Sequence, residues 1–204
     1  MLNQTYSSID GFAPFKPTII IISGPSGVGK GSIIKQILPR VDNVHLSVSA
    51  TTRPKRIGEV HKREYLFLTD EAFDQEIKAN AFLEWCHVHH HRYGTLLTET
   101  QRHLNLNQSV LLEIDVQGAK KVMDFCSKHN QSYLSIFIIP PTLSVIESRL
   151  NIRQTEPPEV IKRRVARAAE ELEEKSHYHF VVINDRLKDA VEAVYRIMCE
   201  RGAC

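Results

Sequence analysis

The sequence predicts an α/β fold: a three-layer parallel sheet with helices on both faces. Apolar strand-like runs alternate with helical segments along most of the chain. The runs are continuous rather than alternating, as expected for strands covered on both faces. A chain of 204 residues, 42% hydrophobic and 25% charged, is long enough to hide roughly 70% of its unfolded surface without disulfide or metal staples.

The elements follow in order. Residues 1–17 are polar, carry Gly11, Pro14 and Pro17, and read as a flexible leader. Thr18 to Ile22 is a β-branched strand, broken by the glycine-rich stretch Ser23 to Gly29. Ser32 to Leu38 then places Ile33, Ile34, Ile37 and Leu38 at helical spacing. Further strands are expected over Ser109 to Ile114, Ser135 to Ile139 and Phe180 to Ile183. Helices are expected over Glu71 to Asn80, Gly118 to His129, Leu143 to Leu150, Glu159 to Lys175 and Asp189 to Cys199. Two stretches break the alternation. Residues 47–95 are rich in Thr, Arg, Tyr and His, with a strand-like piece at Tyr65 to Leu68, and read as an inserted subdomain. Residues 140–178 are charged and helical, with Pro140-Pro141 at the start and Pro157-Pro158 within, and read as a bent helical lid. The core is then 18–46, 96–139 and 179–204.

Composition narrows the function. With 26 basic and 24 acidic residues the net charge is +2, too balanced to require a nucleic-acid partner, so anion binding must be local. No apolar run approaches the ~20 residues of a membrane helix, and the first residues lack the basic-then-apolar order of a secretory signal. Cys86, Cys126, Cys199 and Cys204 form no C-x-x-C pair, which leaves zinc knuckles and redox motifs unsupported and suits the cytoplasm.

The chemistry begins at Gly24-Pro25-Ser26-Gly27-Val28-Gly29-Lys30-Gly31-Ser32. Gly24, Gly29 and Lys30 match the phosphate cradle G-x-x-x-x-G-K-[ST], between a strand and a helix as that motif requires. The glycines let backbone N–H groups turn inward, and the helix start adds partial positive charge. Lys30 brings a full charge. Gly31 displaces the expected hydroxyl to Ser32, so any metal would be held through waters. A second basic loop carries Arg53 and Arg56 around Pro54. Two guanidinium forks with Tyr65 and Tyr93 downstream suit a phosphate monoester; composition alone equally allows a solvated basic loop.

Ser49-x-Thr51-Thr52-Arg53-x-x-Arg56-x-Gly58-Glu59, placed after this strand–loop–helix, resembles guanylate kinase. So do Phe82-Leu83-Glu84-Trp85, Tyr93-Gly94-Thr95, Leu112 to Gly118, the arginine-bearing stretch Arg149 to Arg164, and Val182 to Asp185. The resemblance spans about residues 18–198. It implies a P-loop fold and transfer of the γ-phosphoryl group of ATP to GMP, and to dGMP, with Mg²⁺, in purine recycling. It implies that Arg53, Arg56, Tyr65 and Tyr93 hold the GMP phosphate, and that Ser49, Glu84, Thr95 and Asp115 read guanine. Gly24 to Ser32, with Asn184, would hold ATP, and Lys30, Arg56, Arg153 and Arg164 would gather charge at the transfer point, with Arg149 as a further candidate. Lys62 and Gln154 stand where this family usually has glycine, or glycine or asparagine.

The residue types fit that chemistry. A carboxylate at Glu84 can accept from guanine N1–H and N2–H₂, a pair that adenine does not offer. Phosphoryl transfer needs alignment and positive charge, and a phosphate oxygen needs no general base. Pro157-Pro158 keeps Arg153 and Arg164 off one straight helix, so closure of the lid must gather them. Glu113 is a candidate for ordering a metal's waters, whereas Glu170, Glu171, Glu173 and Glu174 read as a solvated acidic end. His87, His89, His90 and His91 cannot easily converge on one ion, and no metal ligand set is expected. Two other functions compete: a kinase-like binding module without transfer activity, and a kinase for AMP or TMP. Lys30 and the lid arginines argue against the first, Glu84 against the second.

Overall fold

The computed structural model describes residues 6–8, 17–88, 90–152 and 158–201. Its strands and helices, in chain order, are β1 (Tyr6–Ser8), β2 (Ile19–Ser23), α1 (Lys30–Ile37), β3 (Val44–Leu46), β4 (Ala50–Thr51), β5 (Leu66–Phe67), α2 (Asp70–Lys78), β6 (Phe82–Val88), β7 (His91–Leu96), α3 (Leu97–Asn105), β8 (Ser109–Glu113), α4 (Val116–His129), β9 (Tyr133–Ile139), α5 (Leu143–Ile152), α6 (Pro158–Leu172), β10 (Phe180–Ile183) and α7 (Leu187–Glu200).

The main sheet runs β1-β10-β9-β2-β8-β3. All its pairings are parallel except that of β1 with β10. The β-branched run of β2 explains its central place, because its alternate side chains feed two different cores. Ile20 and Ile22 pack with Ile33, Ile34 and Ile37 of α1 and Val194 and Ile197 of α7. Ile19 and Ile21 pack on the opposite face with Val122 and Cys126 of α4 and with Tyr178. This is the predicted three-layer arrangement.

Residues 47–95 build a second sheet, β5-β4-β7-β6. The chain passes into it between Leu46 and Ala50, and leaves it where β7 ends at Leu96 and α3 begins at Leu97. Apart from the expected strand near Tyr65, its strands were not legible. The β6–β7 hairpin is rich in His, Arg and Tyr, which hides the alternation. Three other elements also differ from the sequence reading. Tyr6–Ser8, expected within a flexible leader, pairs antiparallel with β10. Val44–Leu46 adds an edge strand beside β8. Helix α3 was missed because polar Thr100 and His103 occupy its buried positions.

Lys62 has a φ of +67°. A side chain in this left-handed region costs about 1–2 kcal/mol, more than the chain entropy that glycine loses. Lys62→Gly should therefore raise the unfolding free energy by about 0.5–1 kcal/mol, read from urea denaturation. A lower midpoint would contradict the left-handed assignment.

Candidate active site

The C-terminal ends of β2 and β8 open onto one continuous cleft, where open α/β sheets bind ligands. Gly24, Ser26, Lys30, Arg164, Arg167 and Glu171 line one end. Ser49, Glu84, Cys86, Tyr93 and Gly94 line the other. Tyr65, Val88, Glu113, Ile114 and Asp115 face both, so the two ends share a floor and a wall.

At the first end, Gly24 has φ +140°, and a β-carbon there would lie 2.2 Å from the Ile138 carbonyl oxygen. The loop thus crosses tight against β9, and only glycine fits. Helix α1 starts at Lys30 with no side chain capping it, so its dipole faces the cleft. Lys30 Nζ donates to the Gly24 and Pro25 carbonyls at 2.6 and 3.3 Å. Burial pushes its pKa below the ordinary lysine value, while Glu113, Glu171 and Asp115 act in the opposite direction. Asn184, expected to hold ATP together with the loop, lies beneath that loop. It is 3% exposed and its amide donates to the Val28 carbonyl at 2.7 Å. Ser32 is exposed on the first turn of α1.

Helix α6 covers this end. Arg164 donates to the Ser26 hydroxyl of the glycine-rich loop. Arg153 and Gln154 lie outside the described residues, as does the side chain of Arg149. Sequence reasoning missed Arg167, one turn beyond Arg164, which the helical period would have placed on the same face. Its guanidinium is 3.9 Å from Asp115 Oδ2 and 3.0 Å from Glu171 Oε1. Glu171 was read as part of a solvated acidic end. It instead lines the cleft, and burial raises its pKa against the pull of Arg167.

At the second end, Glu84 on β6 and Thr95 on β7 face each other. Thr95 Oγ1 donates to Glu84 Oε1 at 2.8 Å. Burial drives the Glu84 pKa up to about 7, with the charge of Asp115 adding to the rise and the threonine bond opposing it. A β-carbon at Gly118 would sit 2.8 Å from Glu84 Oε2, so α4 packs directly on this carboxylate. Asp115 caps α4, its Oδ1 accepting from Gly118 N at 2.8 Å. Its Oδ2 is buried without a hydrogen bond. Cys86, also missed, places its thiol 3.5 Å from Asp115 Oδ1, and burial holds its pKa well above the ordinary thiol range.

The two loop arginines part company. Arg53 is 9% exposed and stands 5.3 Å from the centre of the Tyr65 ring. Both its terminal nitrogens bond Glu59, at 2.8 and 3.0 Å. Glu59 also accepts from Arg56 N at 2.8 Å. This carboxylate organises the loop, and the Arg53 fork holds its pKa below the usual range. Arg56 itself is exposed on the turn and does not line the cleft. Tyr65 and Tyr93 meet edge to face, centres 5.9 Å apart.

The sequence profile of the Guanylate kinase family matches residues 16–201. The chain is 42% identical over 187 residues to the guanylate kinase of Malacoplasma penetrans, covering 91% of this chain and 94% of that one. It is 45% identical over 184 residues to that of Gloeobacter violaceus, covering 89% and 87%. The crystal structure of guanylate kinase from Anaplasma phagocytophilum superposes with a TM-score of 0.75 at 27% identity, over 93% of this chain and 88% of that one.

Proposed function

The chain belongs to the guanylate kinase family, and from that premise we propose which residues carry the transfer of the γ-phosphoryl group from ATP to GMP. The enzyme yields ADP and GDP. The observation that supports the assignment is the single cleft with Lys30 at one end and Glu84, held from behind by Thr95, at the other.

The loop from Gly24 to Ser32 holds the ATP phosphates, and Asn184 keeps that loop in shape from below. Glu84 accepts the guanine N1–H and N2–H₂ donors, while Ser49, Thr95 and Asp115 complete the base pocket. Arg53, braced by Glu59, holds the GMP phosphate with Tyr65 and Tyr93, and Arg56 supplies a second fork from the exposed turn. An ionised GMP oxygen attacks the γ-phosphorus as the bond to the β–γ bridging oxygen breaks. Lys30, Arg164 and Arg153 neutralise the charge that develops, and Arg167 adds to them across the cleft. Magnesium fits the hard oxygen donors here. Glu113 opens into the cleft, its Oε1 3.3 Å from where a β-carbon at Gly31 would lie, and would hold the ion through its waters. Bound magnesium offsets charge on the β- and γ-phosphates. We extend the acceptor range to dGMP, since the base and phosphate contacts leave the sugar unread. Coupled assays offering GMP, dGMP, AMP and TMP separately test this reading; preference for AMP or TMP, or no turnover with GMP, would refute it.

Glu84 adds a pH signature. Only its ionised form can accept both guanine donors, so GMP affinity should rise with pH and level off above 7. Between pH 8 and pH 6 a group titrating at about 7 loses roughly tenfold in ionised fraction. GMP binding should weaken by about that factor relative to Glu84→Gln, which controls for titration of the phosphate. Parallel pH profiles in the two proteins would contradict the assignment.

A further inference from the structure

A separate cluster sits where the chain joins the two sheets. His45 lies on β3 just before the chain enters the second sheet, and Glu99 and His103 lie on α3 just after it returns. None of the three lines the cleft. Glu99 and His103 are one helical turn apart and share a face. Their ligand atoms and that of His45 all lie within 4.8 Å of one another.

The hydrogen bonds fit a tautomer of His103 that leaves Nε2 basic. His103 Nδ1 is 2.7 Å from Gln108 Oε1. An amide oxygen only accepts, so Nδ1 carries the proton and Nε2 presents a lone pair. In that tautomer the lone pair faces Glu99 Oε1 at 3.0 Å, acceptor against acceptor, an arrangement that a positive group between them satisfies. Arg102 provides one: its NH2 is 2.7 Å from both Glu99 Oε1 and His103 Nε2. The Arg102 side chain is nevertheless 57% exposed. His45 Nε2, 3.7 Å from the same carboxylate oxygen, is buried and makes no hydrogen bond. Three atoms able to act as metal ligands thus converge on a place now served by one tethered, solvent-facing cation.

We propose that His45, Glu99 and His103 form a site for a divalent transition-metal ion, Zn²⁺ being the best match, that ties β3 to α3 at the root of the second sheet. Two imidazoles and one carboxylate suit Zn²⁺ rather than Mg²⁺, with a water as the fourth ligand. Tetrahedral Zn²⁺ holds its ligand atoms roughly 3.3 Å apart, so the cluster must close by about an ångström. The two rings, now stacked 3.4 Å apart and 6° from parallel, must tilt so that their lone pairs meet. Arg102 swings out to solvent. Among the described residues, neither His87, His90 nor His91 belongs to such a cluster.

The test is calorimetric titration of the chelator-stripped full chain with Zn²⁺ alone. One saturable site is expected, weakened at least about tenfold by His45→Asn and by Glu99→Gln, and unaffected by joint replacement of His87, His90 and His91 with asparagine. Arg102→Ala removes a competitor from the surface without touching a ligand and should tighten Zn²⁺ several-fold. GMP turnover in Mg²⁺ buffer should be unchanged in His45→Asn. Absence of saturable binding would overturn the proposal. So would equal affinity in wild type and His45→Asn, loss of binding in the triple asparagine variant alone, or no tightening in Arg102→Ala.

Discussion

Replacing Lys30 with alanine is expected to reduce turnover by roughly three orders of magnitude, about 4 kcal/mol of transition-state stabilisation, while GMP still binds. The ammonium is held at the mouth of the loop by the Gly24 and Pro25 carbonyls. It stands in a cleft that excludes much of the water, where a fixed charge counts for more than at the surface. It is also the cation placed where α1 aims its dipole. Lys30→Arg should not rescue: the longer planar fork cannot occupy the same two carbonyls. Because Glu84 and Tyr93 line the other end of the cleft, the GMP dissociation constant should move less than about threefold. Steady-state kinetics and GMP titration together check this. Undiminished turnover would mean that the loop does not hold the transferred group.

Replacing Glu84 with glutamine is expected to lower kcat/KM for GMP by about 10³-fold and to stabilise the fold at alkaline pH. An amide offers one acceptor and then a donor, so a guanine N–H is left facing an N–H. The fold responds in the opposite sense. A carboxyl near 4.5 in the unfolded chain and raised to about 7 in the fold binds its proton more tightly when folded. Its contribution to stability is full below about pH 4.5, falls as pH rises, and is lost above about 7, costing on the order of 3 kcal/mol. Glutamine removes that cost. A denaturation series at pH 5 and pH 8 should show little gain at the lower pH and a clear gain at the higher. A loss of both activity and stability at pH 8 would contradict the buried-charge account.

The architecture was legible wherever burial was two-sided and therefore written as unbroken apolar runs, as in β2, β8 and β9. Elements with polar buried positions escaped notice, α3 through Thr100 and His103 and the β6–β7 hairpin through its histidines. Lys30 and Glu84, which we propose touch ligand, could be chosen from spacing and resemblance. Bracing roles could not. Glu59 and Asn184 stand in the motifs, but their hold on Arg53 and on the Val28 carbonyl is visible only in the fold, and Arg167 enters only once α6 lies across the cleft. These roles depend on which distant segments meet, and no local pattern encodes that.

The meeting of Asn184 with Val28, 156 positions apart, bears on how the protein is made. Synthesis proceeds from the N-terminus, so the glycine-rich turn is translated early, yet its floor arrives almost last, just after β10. A nascent chain released from the ribosome before that point should have the glycine sequence without its shape, and should gain ATP affinity only when the final tenth emerges.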